Sequence, residues 1–296
     1  MTESRPAADR PAVVAVVPAY QPGENLLDLV TSLAAQVTTV FVVDDGSASE
    51  TVDAAAERGA QVVRHEDNRG IAAALNAGIR AALASKGTVA ILTVDQDSEV
   101  QDGFVQVLLD AWERAERAGL RVGLVAPQHV TGLPDQSTGR HRGGVALGRA
   151  PIQSGQLVPV ATLTQVGEFD EGLFIDGVDA DFALRCLDAG LAVIVAEGVT
   201  LGHRLGDKHE VRLAGRTVTL TRSAPFRYYY LTRNRIRLVG RHARRHPGWA
   251  AGQLVGVVGH LGLVLAFGPD RGDRAREAWR GVREGVRGRT GARPTN

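Results

Sequence analysis

Residues 89–100 read VAILTVDQDSEV. An apolar, β-branched run of the kind that fills a sheet core ends in two carboxylates, Asp95 and Asp97, one residue apart. Taken alone, an Asp-x-Asp triplet at a strand end is most often a turn. Directly after a buried strand it also suits a hard divalent cation, which takes oxygen ligands and is held by one or two carboxylates together with substrate phosphates. If the strand geometry persists, Asp95 and Asp97 fall on the same side.

Working outward from this stretch, the same rhythm recurs. VVAVVP (13–18) and TVFVV (39–43) are short apolar strands, Gln61–Arg64 is a third, and Val89–Val94 the fourth. Helical spacing fills the gaps: Leu26, Leu27, Leu29, Val30 and Leu33 within Asn25–Gln36, then 49–58, then the alanine-rich Gly70–Ala84. Strands alternating with helices predict βαβ units and a mostly parallel α/β sheet with helices on both faces. Beyond residue 125 the rhythm breaks. Residues 127–150 hold five glycines and suggest a loop or irregular hairpin. Helical periodicity returns at 179–189, a strand at Ala192–Val195, and a basic helix at Tyr228–Arg245.

Composition sets further bounds. The 296 residues suffice for one large α/β domain or two small ones, and 44% hydrophobic residues supply a sizeable core. The single cysteine, Cys186, excludes an internal disulfide. Residues 1–11 lack the apolar core of a signal peptide and are read as a disordered leader. The near-neutral net charge hides an asymmetry: Arg227–Asn296 carries 15 arginines against 4 acids, the preceding residues 19 basic groups against 29 acids. Such a basic end suits an anionic partner, whether phosphate, membrane surface or nucleic acid. Trp249–Phe267 is apolar for 19 residues but includes four glycines, Gln253 and His260, so a packed or interface-lying helix is expected over a bilayer span.

In a parallel sheet, ligands bind outside the carboxyl ends of the strands. Gln21–Glu24, Asp44-Asp45-Gly46-Ser47 and Asp95-Gln96-Asp97 each follow a strand, so all three would line one crevice. No GxGxxG follows the first strand and no GxxxxGK[ST] occurs, which disfavours dinucleotide and P-loop binding.

Six stretches in order, AYQPGENLLDLVTSL (19–33), VVDDGS (42–47), NRGIAAALNAGI (68–79), LTVDQDS (92–98), GEFDEGLFIDGVDADFALR (167–185) and YYYLTRNR (228–235), resemble family 2 glycosyltransferases of the GT-A fold. NRGIAAALNAGIRAAL and LTVDQDS are most similar to the branch that uses dTDP-rhamnose. The resemblance spans about 13–240. It implies a GT-A catalytic domain over 12–240, with a nucleotide-binding half to about 125 and an acceptor half beyond it, followed by a basic and apolar helical extension at 241–296.

The resemblance also implies roles. Asp44 would accept a hydrogen bond from the pyrimidine imide of the donor, with Gly46 beside it and Pro18, Ala19 and Tyr20 beneath the base. Asn68, Arg69 and Gly70 lie at a helix N-terminus suited to phosphate, and Asn76 follows within that helix. Asp95 and Gln96 would hold the ribose or sugar. Asp97 would be the main ligand of Mg²⁺ or Mn²⁺, with His203 a second. Asp179, opening the helix that bears ADFALR, would be the base that deprotonates the acceptor. Its neighbour Asp181 stands four residues before Arg185, the spacing of a helical ion pair. Arg233 and Asn234 would brace the donor site or touch its diphosphate.

The implied reaction is an inverting transfer of L-rhamnose from dTDP-β-L-rhamnose to a surface glycan or polyprenyl-diphosphate-linked acceptor. It would occur at the inner face of the cell membrane, with peripheral contact through 233–267 and oligomerisation possible. A UDP-hexose or galactofuranosyl transferase of the same fold is the nearest alternative. A nucleic-acid-binding protein fits less well, because aromatic residues interleave the arginines only at Tyr228–Tyr230. A scaffold without activity fits poorly with the presence of Asp44, Asp97 and Asp179.

Overall fold

The computed structural model describes residues 11–85, 87–203, 208–213, 216–221, 223–267 and 270–294, with main chain alone over 203–221. Apart from Pro11, the leader expected over 1–11 lies outside the described residues. Two compact units are present, one reaching Phe169 and resuming over Phe182–His203, the other formed by Asp170–Asp181 and the chain from Arg204 onward. The sequence reading placed a boundary near 240 instead. The difference arises because the basic helix at 225–242 packs most extensively against a helix beyond 270.

The first unit holds β1 (Ala12–Ala19), α1 (Asn25–Ala34), β2 (Thr39–Asp45), α2 (Glu50–Glu57), β3 (Gln61–His65), α3 (Ile71–Ala84) and β4 (Thr88–Thr93). A two-residue β5 (Ser98–Glu99), α4 (Phe104–Arg117), β6 (Val122–Val130), the hairpin β7 (Ser137–Arg142) and β8 (Val145–Gly148), β9 (Gln156–Pro159) and α5 (Val160–Val166) follow. After α6 (Val178–Asp188), whose first turn belongs to the second unit, β10 (Ala192–His203) completes it.

The sheet order is β3-β2-β1-β4-β9-β6-β10-β8-β7, with β5 paired to β10. β1, β2, β3 and β4 are mutually parallel, as are β6 and β10, while β9 runs antiparallel to β4 and β6. β1 is buried from Val13 to Ala19 on both faces, which is why VVAVV shows no polar alternation. Each of its valines withdrawn from water contributes about 1.5–3 kcal/mol before entropy is counted. The stretch 127–150 is largely the hairpin β7–β8. The strand expected at Ala192–Val195 continues to His203.

The second unit contains a short 3₁₀ turn (Glu171–Leu173), a two-stranded ladder of β11 (Lys208–Leu213) and β12 (Arg216–Thr221), and helices α7 (Pro225–His242), α8 (Pro247–Phe267) and α9 (Arg271–Val286). Gly281 of α9 lets two helices touch: a Cβ there would run into the Tyr229 carbonyl and the Thr232 hydroxyl of α7. Thr232 Oγ1 in turn donates to Ala278 O at 2.9 Å.

Candidate functional site

The parallel register carries the tips of β1, β2 and β4 to one end of the sheet, with Ala19 opposite Asp44 and Val94 N–H donating to Val16 O at 3.1 Å. Because β9 is reversed, its leading residues arrive at the same end. Gly155 N–H donates to Thr93 O at 2.7 Å and Thr93 Oγ1 to Gln153 O at 2.6 Å. Asp95 N–H then donates to Ser154 Oγ at 2.9 Å, and the Gln153 amide donates to Asp95 Oδ1.

β4 ends at Thr93, and a Ser98 N–H bond to Asp95 O at 3.0 Å closes a turn through Asp95-Gln96-Asp97. Strand alternation therefore does not set the two carboxylates; the turn does. Gln96 has its own task. Its Oε1 accepts from Tyr20 N–H at 2.7 Å, its amide donates to Tyr20 O at 3.1 Å, and its carbonyl accepts from Asn25 Nδ2 at 3.0 Å. Gln96 ties β1 to β4, a structural role in place of the donor contact expected of it. Pro18 and Ala19 are buried beneath, Tyr20 is exposed, and Gln21 follows with φ +47°, a strained value for a non-glycine residue at this rim.

Asp44 is buried. Its Oδ1 accepts from Ser47 N–H at 2.9 Å and Ser47 Oγ at 2.5 Å, and its Oδ2 from Arg64 at 3.0 Å. Burial works against its charge, but the Ser47 hydrogen bonds and the Arg64 guanidinium more than offset this and hold the carboxyl below the ordinary aspartate range. Gly46 sits at φ +77°, where a Cβ would lie 2.7 Å from Asn68 N, so only glycine permits this turn against 67–68.

The N-terminus of α3 is occupied differently from the sequence expectation. Asp45, which the sequence reading passed over, accepts from Arg69 N–H at 3.0 Å and Gly70 N–H at 2.8 Å, and meets His65 Nδ1 at 2.7 Å. Asn68 Oδ1 shares the Gly70 N–H at 3.1 Å. The main-chain donors of Arg69 and Gly70 are thus engaged by a carboxylate, while the Arg69 side chain is exposed. Signal for this lay in the sequence: an acid at a strand end is as good an anion for a helix N-terminus as a ligand is. Asn76 is also corrected. It is buried, donates to Phe169 O at 3.0 Å and accepts from Phe169 N–H at 3.0 Å, a clamp on the main chain and not a donor contact.

For a divalent cation the oxygen donors fit: Asp97 is half-buried in the turn, and Asp95 lies two residues before it. The β5–β10 register sets His203 opposite Ser98, next to Asp97; the His203 side chain lies outside the described residues. Among the described residues no group of three His, Cys, Asp or Glu side chains forms a ready-made cage. Such a set suits a metal completed by substrate phosphates. A cavity of about 440 Å³ lined by Trp112, Arg121, Val122 and Thr162 lies where β6 begins, away from these tips.

In the second unit, α7 organises residues 170–181. Asp170 pairs with Arg237 at 3.1 Å and Arg241 at 2.9 Å, Asp176 with Arg227 at 2.5 Å, and Asp181 with Arg241 at 2.6 Å and His242 at 3.0 Å. Arg237 and Arg241 thus meet carboxylates of the protein's own residues 170–181, and Arg235 donates to Gln253. Arg185, in the first unit, donates to Val166 O and Glu168 O, both at 2.8 Å.

Arg233 and Asn234 are buried. Arg233 donates to Gly291 O at 2.5 Å, Gly172 O at 3.1 Å and Leu173 O at 2.9 Å; Asn234 donates to Leu173 O, Ile175 O and Asp176 O at 2.9, 2.7 and 2.8 Å. These bonds brace the loop at 172–176 and the chain at Gly291. The braced loop is strained, with Phe174 at φ +64° and Asp176 at φ +65°.

Asp179 follows in the first turn of α6. Its Oδ1 accepts from Ala180 N–H at 2.7 Å, and among the described residues no arginine hydrogen-bonds it. Burial pushes its carboxyl above the ordinary aspartate range and the Asp176 charge adds to this, against the Ala180 N–H and the Arg235 guanidinium.

Residues 14–150 match the family model "Glycosyl transferase family 2". The chain is 30% identical over 294 residues to dTDP-rhamnosyl transferase RfbF of Shigella flexneri, covering 94% of this chain and 97% of that protein. Among solved structures, glucosyl-3-phosphoglycerate synthase from Mycobacterium tuberculosis in complex with Mg²⁺ and uridine diphosphate is similar at TM-score 0.48 and 20% identity, over 73% of this chain and 88% of that one. The complex of the same enzyme with Mn²⁺, uridine diphosphate and glucosyl-3-phosphoglycerate is similar at TM-score 0.46 and 17% identity, over 75% and 94%. Matched along nearly its whole length by a rhamnosyl transferase, and over residues 14–150 by the family model, the chain is a glycosyltransferase and belongs to glycosyl transferase family 2, in its rhamnosyltransferase branch.

Proposed function

We propose that the protein transfers L-rhamnose from dTDP-β-L-rhamnose, with inversion, to a hydroxyl of a surface glycan or polyprenyl-diphosphate-linked acceptor. Support for the donor comes from the likeness to dTDP-rhamnosyl transferase RfbF over nearly all of both chains. The observation that carries the mechanism is Asp179. Of the aspartates at 170, 176, 179 and 181, it is the one with no hydrogen-bonded cation among the described residues, and burial raises its proton affinity. A carboxylate so placed is a competent general base.

In this reading Asp179 takes the proton of the acceptor hydroxyl. The oxygen lone pair forms a bond to the anomeric carbon, and the electron pair of the bond from that carbon to phosphate leaves with dTDP. Asp44 Oδ2, which among the described residues accepts from Arg64, has a further lone pair for the thymine imide N–H. Asp97, with Asp95 and His203 beside it in the chain register, would hold Mg²⁺ or Mn²⁺. When bound, the cation offsets negative charge on the departing diphosphate. The exposed Arg69 side chain is placed to meet phosphate. The acceptor class puts the work at the inner face of the cell membrane, and α8 supports contact there.

Calorimetric titration of dTDP-L-rhamnose, UDP-glucose and UDP-galactofuranose with Mg²⁺ tests the donor. dTDP-L-rhamnose is expected to bind tightest and to be the sugar transferred. Tighter binding and turnover of a UDP-sugar would replace the donor assignment.

A further inference from the structure

We propose that α8 and α9 together form a docking face for an anionic lipid surface, with both helices lying in the plane of that surface; this rests on the membrane reading above and extends it to a helix outside 233–267.

α8 runs for 21 residues at mean hydropathy 1.8, yet only 11% of its most apolar window is buried. It contains no Asp, Glu, Lys or Arg. Its two polar side chains turn inward: Gln253 accepts from Arg235, and His260 stacks on Tyr228 with ring centroids 5.8 Å apart. Trp249, Ala250 and Val264 share that buried side. Outward stand Leu254, Val255, Val258 and Phe267, of which Val255 and Val258 are 73% and 69% exposed. One side of the helix is therefore wholly apolar and bare.

A bilayer span does not fit this arrangement. α8 packs against α7 and α9, and α9 carries Asp273, Arg276, Glu277 and Arg283, which hydrocarbon would exclude. A helix half-sunk from one side needs only its outer face to be apolar.

Charge selects the lipid. Arg244 and Arg245 precede α8 and Arg271 follows it, all exposed. On α9, Arg276, Trp279, Arg283 and Val286 recur at helical spacing, with exposures of 75%, 70%, 54% and 75%. Arg276 also pairs with Asp273 and Arg283 with Glu284. An exposed tryptophan between arginines is the composition that sits at the headgroup level, its ring amphipathic and its neighbours cationic. Each arginine near an anionic surface adds to the attraction, and salt weakens it.

The test uses the full chain and sedimentation with vesicles of phosphatidylcholine, with and without phosphatidylglycerol. Binding is expected only with phosphatidylglycerol, diminished by salt and released by alkaline carbonate. The pair Val255→Asp with Val258→Asp, and separately Arg276→Gln with Arg283→Gln, should each weaken vesicle binding at least tenfold. Calorimetric binding of dTDP-L-rhamnose in solution should stay unchanged, so loss of the docking face and loss of the donor reading are told apart. Equal binding to both vesicle types, resistance to carbonate, or a solution dimer that the Val255→Asp pair dissociates would each overturn the proposal.

Discussion

Gln96 grips the main chain of Tyr20 from both sides, accepting its N–H at 2.7 Å and donating to its carbonyl at 3.1 Å. A side chain here replaces the next pair of ladder hydrogen bonds where β1 and β4 have ended. Gln96→Ala is expected to cost about 1–3 kcal/mol, the sum of two such bonds at about 1 kcal/mol each and some loosening of the rim. Urea unfolding reads the stability, and donor titration reads the rim; an unchanged midpoint would show that Tyr20 holds its place without the clasp.

Asp179→Asn is expected to lower transfer by about 10²–10⁴-fold, the usual contribution of a positioned base, with donor affinity unaltered. Since burial raises the Asp179 carboxyl, the acid limb of the wild-type rate should lie above the ordinary aspartate range, activity rising as pH climbs through it and the base ionises. Its stability effect has the opposite sense to that of Asp44. The folded protein holds the Asp179 proton more tightly than the unfolded chain, so this group favours folding at low pH and ceases to as pH rises. Asp44, held low, favours folding above the ordinary range and loses that contribution as pH falls. A pH–rate profile whose acid limb persists in Asp179→Asn would remove the base assignment.

Asp97→Asn should abolish Mn²⁺ binding measured by calorimetry in the presence of dTDP and should reduce transfer at saturating Mg²⁺. Chelation of the wild type should stop transfer and readdition restore it. Undiminished activity in excess EDTA would show that the turn at 95–98 acts without a cation.

Asn234→Ala should destabilise by about 1–3 kcal/mol, because it takes their side-chain donor from the part-buried carbonyls of Ile175 and Asp176, while Leu173 O keeps Arg233 and the Ile175 N–H. If Asn234 and Arg233 contacted diphosphate instead, the variant would lose donor affinity at constant stability. Comparing the unfolding midpoint with the donor titration separates the two.

Gly46→Ala places a side chain at φ +77° against the main chain of 67–68. Strain of this kind costs about 1–3 kcal/mol before any clash, so a lowered melting temperature is expected. An unchanged one would mean that the 67–68 segment yields freely.

The alternation of strands and helices up to residue 94 was legible because each element announces its own period. β1 is uniformly apolar and α1 repeats leucine and valine at helical spacing. α4 carries as clear a pattern in Phe104, Val105, Leu108, Leu109, Ala111 and Ala115. β9 was not legible: four residues, QLVP, hold no period, and their place between β4 and β6 is a tertiary fact. In the site, residue type singled out the stretch Asp95–Asp97, which forms a turn, and Asp179, which lies in the first turn of α6. It could not divide ligand-facing acids from internally bonded ones. Asp44 and Asp45 are neighbours of one kind, yet one binds Ser47 and Arg64 and the other caps α3. The same limit explains the arginines of α7: a charge count does not reveal that Arg237 and Arg241 are met by Asp170 and Asp181.

The reversed strand β9 has a consequence for how the molecule matures. Gln153 and Ser154 reach Asp95 across 58 and 59 positions of chain, so a nascent polypeptide that has already zipped β1 to β4 still lacks the groups that steady its acidic turn. Closing so long a stretch is among the slower steps of assembly. The acidic turn is therefore expected to be finished after the β1–β4 pairing has formed, and a chain ended before residue 153 would lack the groups that steady it.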